Sequence, residues 1–308
     1  MSTASAPGKI ILFGEHAVVY KRPALAVPVF QVHADVEISD SSIPGIWVDA
    51  PDISLHATLS ALPPTDALRT VIDGFFQAQN IFVPPFINIR ITSSIPVASG
   101  LGSGAAVSVA LIRALSAAIH KPMPDADVNN LAYEIEKLYH GTPSGIDNTV
   151  ITYARPVYFV RDQPIETFSV GQPFTLVIGN TGIPAPTKES VGDVRKLWLT
   201  DAPYWEKVFD QVGEIVQQAR TAIHDGDITA LGPLMNENHR LLQQLTVSSS
   251  ALDNLVDAAR TAGAIGAKLS GSGRGGNMIA LVLSSNAKTV ATAIKSAGAL
   301  STITTTVQ

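Results

Sequence analysis

The feature that most restricts this chain is a glycine-rich stretch at 96–106, Pro96-Val-Ala-Ser-Gly100-Leu-Gly102-Ser-Gly104-Ala105-Ala. Residues 86–91 before it are rich in Phe and Ile and read as strand. Residues 105–119 after it run through Ala, Val, Leu and Ile with few breakers and read as a buried helix. Glycines at such a junction let the backbone turn tightly and approach a ligand closely. A helix start also offers N–H groups and partial positive charge to an anion. The same small residues suit close helix packing equally well, and the loop alone does not choose. No Gly-Lys-Ser/Thr ends the stretch, so it is not the Walker pattern.

A dinucleotide loop is the next candidate. Both Gly100-Leu-Gly102-Ser-Gly104-Ala105 and Gly271-Ser-Gly273-Arg-Gly275-Gly276 match G-x-G-x-x-G/A in form. Both fail on context. The first should lead through one helix to a parallel strand, yet 121–127 and a second helical pattern follow it. The second precedes a strand-like run. An oxidoreductase reading therefore ranks below phosphate binding.

Strand patterns also cover 9–13 and 25–37, and helical ones 125–140, where Asp125 or Asp127 is a candidate cap. Pro143 and Gly145 break the chain before 146–153. A second block opens near 172, with strands at 174–179, 278–283 and an edge strand at 301–307. Its helices read as 205–228, 231–244, 251–261 and 286–297. This order predicts two α+β lobes, 1–170 and 171–308.

Composition narrows the function. The chain of 308 residues has net charge -5 and no block of Lys or Arg, which argues against a nucleic-acid partner. It has no cysteine, so disulfides, thiolate metal sites and cysteine nucleophiles are excluded. The run 10–13 is too short for a signal peptide and no apolar run reaches membrane length. A cytoplasmic protein with no membrane partner is expected.

Three segments together carry a resemblance. They are Ala6-Pro-Gly-Lys-Ile-Ile-Leu-Phe-Gly-Glu-His-Ala-Val-Val-Tyr20, the loop at 96–106, and Gly266-Ala-Lys-Leu-Ser-Gly-Ser-Gly-Arg-Gly-Gly276. In this order they resemble the GHMP kinases, the superfamily of galactokinase, homoserine kinase, mevalonate kinase and phosphomevalonate kinase. Four stretches are most similar to the mevalonate kinase branch: Gly14 to Tyr20, Glu134 to Asn148, Thr181 to Glu189, and Met235 to Arg240. The resemblance implies an N-terminal lobe like domain 2 of ribosomal protein S5 and a ferredoxin-like C-terminal lobe. It implies ATP and Mg²⁺ as cofactors, phosphorylation of the C5 hydroxyl of (R)-mevalonate, and a homodimer. Phosphomevalonate kinase, mevalonate 3-kinase, a sugar kinase and a non-catalytic sensor of this fold are the alternatives.

The resemblance also assigns residues. Asp147, which by itself reads as a turn or cap aspartate beside Asn148, becomes the catalytic base. Lys9 becomes the cation that keeps this carboxylate ionised and offsets transition-state charge. Glu136, rather than Glu134, matches the magnesium ligand. Ser93, Pro96, Gly100, Leu101, Gly102, Ser103, Gly104 and Ala105 match nucleotide contacts, and His16 and Thr187 match substrate contacts. His140 reads as structural. Three departures stand out. Gly104 replaces a serine that usually offers a hydroxyl to the metal. Val107 stands where some relatives carry tyrosine. Arg274 and Asn277 stand where small residues are commoner, and Arg274 reads as a surface charge rather than a phosphate contact.

Overall fold

The computed structural model describes residues 1–96, 99–140, 144–185 and 187–308, leaving aside the side chains of Tyr139 and His140. The chain forms two compact units that interleave in sequence. One comprises Met1–Gly8, Val32–Pro96 and Gly102–Ala154; the other comprises Lys9–Gln31, Val97–Leu101 and Arg155–Gln308.

In the first unit, the strand Ile87–Ser93 pairs antiparallel with the end of Ala24–Asp40, from Ala34 to Asp40. It pairs parallel with Ile46–Ala50, which forms a further antiparallel ladder with Leu55–Thr58. Val36, Ile38, Ile89 and Ile91 alternate with more exposed residues, so one sheet face is apolar. The helices Ala67–Ala78, Ser103–Ala118, Asp125–His140 and Ile146–Tyr153 pack together in this unit. Ser103–Ala118 is apolar nearly all round and buries Ala106, Val109, Ala110, Leu111 and Ile112. Its alanines permit close neighbours, as expected of a central helix.

The helix Ala67–Ala78 was not among the expected elements. Asp66 caps it by accepting from the N–H groups of Leu68 and Arg69 at 2.9 and 3.2 Å. Leu68, Val71, Ile72, Phe75 and Phe76 fall on one buried stripe. Burying each such side chain contributes about 1.5–3 kcal/mol, which outweighs the weak helix propensity of its β-branched and aromatic members.

The second unit holds a four-stranded antiparallel sheet. Its order is Ser301–Val307, Phe174–Asn180, Asn277–Val282, Gly266–Ser270. The two inner strands are almost wholly buried, and Ser301–Val307 lies at an edge as expected. The helices Ile228–Gln244, Ser250–Thr261 and Ala287–Ser296 pack on this sheet. Helix and strand come closest at Gly232 and Gly266: a Cβ on Gly266 would lie 2.4 Å from the Gly232 carbonyl oxygen. The pattern expected at 205–228 is Ala202–Asp225, ended by Gly226 at φ 75° and followed by the Asp227 cap of the next helix. Among the described residues no helix is long and apolar enough to cross a membrane.

Candidate active site

The described part of the glycine loop has backbone features that suit an anion. Gly100 and Gly102 adopt φ 81° and 78°, left-handed values that side chains resist. Gly102 is the N-cap of Ser103–Ala118 and carries no side-chain cap. The N–H groups of Ser103, Gly104 and Ala105 in the first turn have no acceptor within the helix, and its positive dipole end lies there. Ala106 N–H makes the early helical bond to Gly102 at 2.9 Å. Leu101 is buried, and its carbonyl accepts from Lys9 N–H at 2.9 Å. Pro96 is exposed; Val97 and Ala98 lie outside the described residues. Ser93 ends the strand before the loop, its N–H bonded to Asp52 at 2.6 Å and its hydroxyl accepting from Ile95 N–H at 3.2 Å. Among the described residues no helix-to-parallel-strand unit follows the loop, and the second glycine motif joins antiparallel strands. The dinucleotide reading therefore stays excluded.

The two carboxylates singled out in the sequence, Glu136 and Asp147, sit on helices of the first unit. Glu134 is exposed and paired with Lys137 at 2.7 Å, whereas Glu136, two residues on, is half-buried. Asp147 lies in the first turn of Ile146–Tyr153, entered through Gly145 at φ 87°. Its neighbours hold this turn. Asn148 is buried and donates to Asn129 Oδ1 at 2.6 Å, and the Thr149 hydroxyl donates to the Gly145 carbonyl at 2.7 Å. Asp147 itself remains half-buried. The His140 side chain and residues 141–143, including Pro143, lie outside the described residues.

The second unit gathers the first and third motifs around a buried ion pair. Lys9 is 3% exposed on the strand Ser2–Phe13, not a solvated lysine at a strand start. Its charge acts on Glu15. Glu15 bonds Lys268, both essentially inaccessible to solvent. Lys268 Nζ also donates to the Leu269 carbonyl at 2.6 Å. Burial pushes the Glu15 carboxyl up and the Lys268 ammonium down, and their mutual attraction opposes both. The Ser270 hydroxyl donates to the Ile11 carbonyl at 2.7 Å, completing the seam.

His16 follows Glu15 at φ 62°, a strained value for a non-glycine residue. Its Nε2 lies 3.1 Å from the Ser272 carbonyl. A carbonyl only accepts, so Nε2 carries the proton and Nδ1 is left an acceptor. Burial, with the Arg274 charge adding to it, lowers the His16 pKa to about 4 despite the Ser272 bond. A neutral imidazole presenting Nδ1 suits a hydroxyl donor better than a carboxylate.

Arg274 corrects its sequence reading. Its backbone is also left-handed, at φ 62°. Its guanidinium bonds Asp193 at 2.6 Å and approaches the Thr246 carbonyl at 3.5 Å, so it tethers the loop rather than standing as an unpartnered surface charge. The paired Lys196 and Arg274 hold the Asp193 carboxyl below its usual range. Asp193 belongs to the helix Thr187–Thr200, whose first residue is Thr187. Thr187 is thus an exposed helix-start residue, not part of a proline turn; Pro186 lies outside the described residues. Gly275 must be glycine because its Cβ would meet the Ile183 carbonyl oxygen at 2.5 Å.

A second buried histidine gives the fold an acid limit. His239 Nδ1 accepts from Leu269 N–H at 3.2 Å and Nε2 faces Asp253 at 3.2 Å. Burial lowers its pKa to about 4 as well, against the opposing Asp253 charge. For both histidines the folded pKa lies below the unfolded value, so the unfolded state binds more protons as pH falls. Their stabilisation is complete above pH 6.5 and declines toward about pH 4. Each is expected to forfeit on the order of 3 kcal/mol across that window. Urea midpoints at pH 7, 5.5 and 4.5 check this, and His239→Gln should flatten the profile.

Residues 67–155 match the GHMP kinases N terminal domain and residues 219–300 the GHMP kinases C terminal domain. The chain belongs to the GHMP kinase family. Among the family's members, it is 37% identical to a mevalonate kinase of Pyrococcus horikoshii, covering 98% of this chain and 94% of that protein. A mevalonate kinase of Thermococcus sibiricus is 36% identical over 98% and 95%. The crystal structure of L. major mevalonate kinase in complex with R-mevalonate superposes with TM-score 0.87 at 32% identity, covering 100% of this chain and 96% of that one. The α+β fold expected from the sequence is that of the family. Sequence reasoning missed Lys268 as the partner of Glu15, and Asp193 as that of Arg274. A lysine inside an apolar strand was the available signal for the first; nothing local pointed to the second.

Proposed function

We propose that this GHMP kinase transfers the γ-phosphoryl group of ATP to the C5 hydroxyl of (R)-mevalonate. The observation that carries the reading is its similarity to mevalonate kinases along almost the whole chain. In this reading the new bond joins the C5 oxygen to phosphorus, the bond to the ADP oxygen breaks, and Asp147 takes the hydroxyl proton. Lys9 lends positive charge to the moving phosphoryl group, and the N–H groups at 102–105 hold ATP phosphates. Ser93, Pro96, Gly100 and Leu101 shape the nucleotide side. His16 accepts a hydrogen bond from a substrate hydroxyl at Nδ1, and Thr187 contacts the substrate from its helix start. The chain divides near residue 170 into its N- and C-terminal kinase lobes, acts in the cytoplasm, and pairs as a homodimer.

Magnesium fits this donor set. Mg²⁺ takes oxygen ligands and keeps several waters, so one carboxylate with nucleotide phosphates suffices. Glu136 would hold the ion, which neutralises phosphate charge when bound. Gly104 offers no hydroxyl, but a Cβ there would meet nothing within 4 Å and its φ is not positive. Gly104→Ser is therefore expected to fold normally, gain about 0.5 kcal/mol of helix stability, and lower the magnesium concentration needed for half-maximal rate. A Mg²⁺ titration of both proteins reads this; an unchanged midpoint would sink it.

The central test is ADP release with Mg-ATP and mevalonate, phosphomevalonate, homoserine or galactose in parallel. Mevalonate should be strongly preferred. Preference for phosphomevalonate or a sugar would move the chain to another branch of the family, and no turnover of any alcohol would favour a sensor.

A further inference from the structure

Asn277 opens the strand Asn277–Val282, directly after the third glycine motif, and is 1% exposed. Its amide is bonded at both ends. Nδ2 donates to the Ser99 carbonyl at 2.5 Å, and Oδ1 accepts from Asn180 Nδ2 at 2.8 Å. Asn180 Oδ1 accepts in turn from Gly182 N–H at 2.7 Å. The two ends fix the polarity of this chain of bonds. A backbone N–H only donates and a backbone carbonyl only accepts, so both amides have a single orientation.

The relay joins two segments that the kinase reading assigns to different ligands. Ser99 precedes Gly100 in the phosphate loop, and a Cβ on Gly100 would lie 3.6 Å from Asn277 Nδ2. Gly182 belongs to the segment that leads to Thr187. This segment is also docked on the third motif. Thr181 donates to the Gly276 carbonyl from its N–H and hydroxyl at 2.8 and 3.0 Å, and Gly276 N–H donates to Ile183 at 2.8 Å.

We infer that Asn277 is a positioning residue through which alcohol binding near 181–187 tightens nucleotide binding at the phosphate loop. The inference rests on the kinase reading above. A ligand that orders 181–187 holds Gly182 in place, and the relay passes this constraint to Ser99 and Gly100. The nucleotide then meets a loop that is already ordered, which is positive coupling. Without the Asn277 amide, the buried Ser99 carbonyl loses this donor and the two segments are no longer joined here.

The test uses the full chain carrying Asn277→Ala, Asn277→Asp, Asn180→Asp or the combination Asn277→Ala/Asn180→Asp. Asn277→Asp keeps an acceptor for Asn180 but turns an acceptor against the Ser99 carbonyl. Asn180→Asp keeps the bond to Gly182 and removes the donor to Asn277. Asn180 is only part-buried, so this variant reads the relay even where Asn277 variants fold poorly. Calorimetry gives the Kd of a non-hydrolysable ATP analogue with and without mevalonate, and melting temperature is recorded alongside.

Mevalonate is expected to lower the wild-type Kd by about fivefold or more and to leave it unchanged in every variant. Asn277→Asp should weaken the analogue by about tenfold and raise KM for ATP more than KM for mevalonate. The double variant Asn277→Ala/Asn180→Asp should be no worse than the worse single, since both break one chain. Absence of coupling in the wild type, or variants that melt lower yet keep Kd and coupling, would overturn the inference. Wild-type turnover is measured separately. If mevalonate is not phosphorylated the kinase reading fails, while an unchanged analogue Kd in the variants overturns the relay's hold on the loop.

Discussion

Asp147→Asn is expected to lower kcat by about 10²–10⁴-fold while leaving the affinity for the ATP analogue unchanged. The carboxylate is the proposed proton acceptor, and the amide is a near-isostere that cannot take a proton. In free energy this is roughly 3–5 kcal/mol on the barrier. Loss of the charge near a helix start costs stability only about 0.3–1 kcal/mol. Asp147 is half-buried and its turn is held by Asn148 and Thr149, so the fold does not depend on it. Single-turnover kinetics and a melting curve on the same preparation separate the two effects. Retained turnover would remove Asp147 from the base role; loss of nucleotide binding would make it a structural residue of the loop.

Lys268→Met gives the largest expected effect on stability. Lys268 and Glu15 are 0% and 1% exposed at their side chains. Removing the lysine strands a carboxylate in the interior, at a cost of about 3–5 kcal/mol. Protonation of Glu15 relieves part of this, because burial already pushes its pKa up. The deficit of the variant relative to wild type should therefore shrink as pH falls toward 5, while both proteins share the decline set by His16 and His239. The double variant Glu15→Gln/Lys268→Met should recover most of the loss, since no buried charge is left alone. Urea denaturation at pH 7 and 5 checks all three forms. An unchanged midpoint for Lys268→Met would show that the pair contributes nothing to the fold.

The ion pair also marks how far local reading reaches. The strands at 174–180 and 277–282 and the helix at 103–118 were legible as continuous apolar runs bounded by breakers, and the helix at 228–244 by an apolar stripe at a period of 3.6. The helix Ala67–Ala78 carried that signal too, with its Asp66 cap and an apolar stripe. Thr187 follows two prolines that by themselves mark a turn, yet the helix Thr187–Thr200 begins immediately after the second of them.

For the candidate site the division is sharper. Three glycine motifs and the acids Glu136 and Asp147 are visible in the sequence, because backbone turns and helix starts are local events governed by a few adjacent residues. Sequence alone thus determined the family, the position of the glycine loop and the residue types that the kinase reading uses. Tertiary structure alone decided which polar groups satisfy one another across long stretches of chain: Glu15 with Lys268, Arg274 with Asp193, Asn277 with Ser99. It also decided that burial keeps His16 neutral, with the proton on Nε2 toward the Ser272 carbonyl. Burial raises the cost of an unpaired polar group by several kcal/mol, so such groups must find partners, and only the fold determines which partners lie within reach.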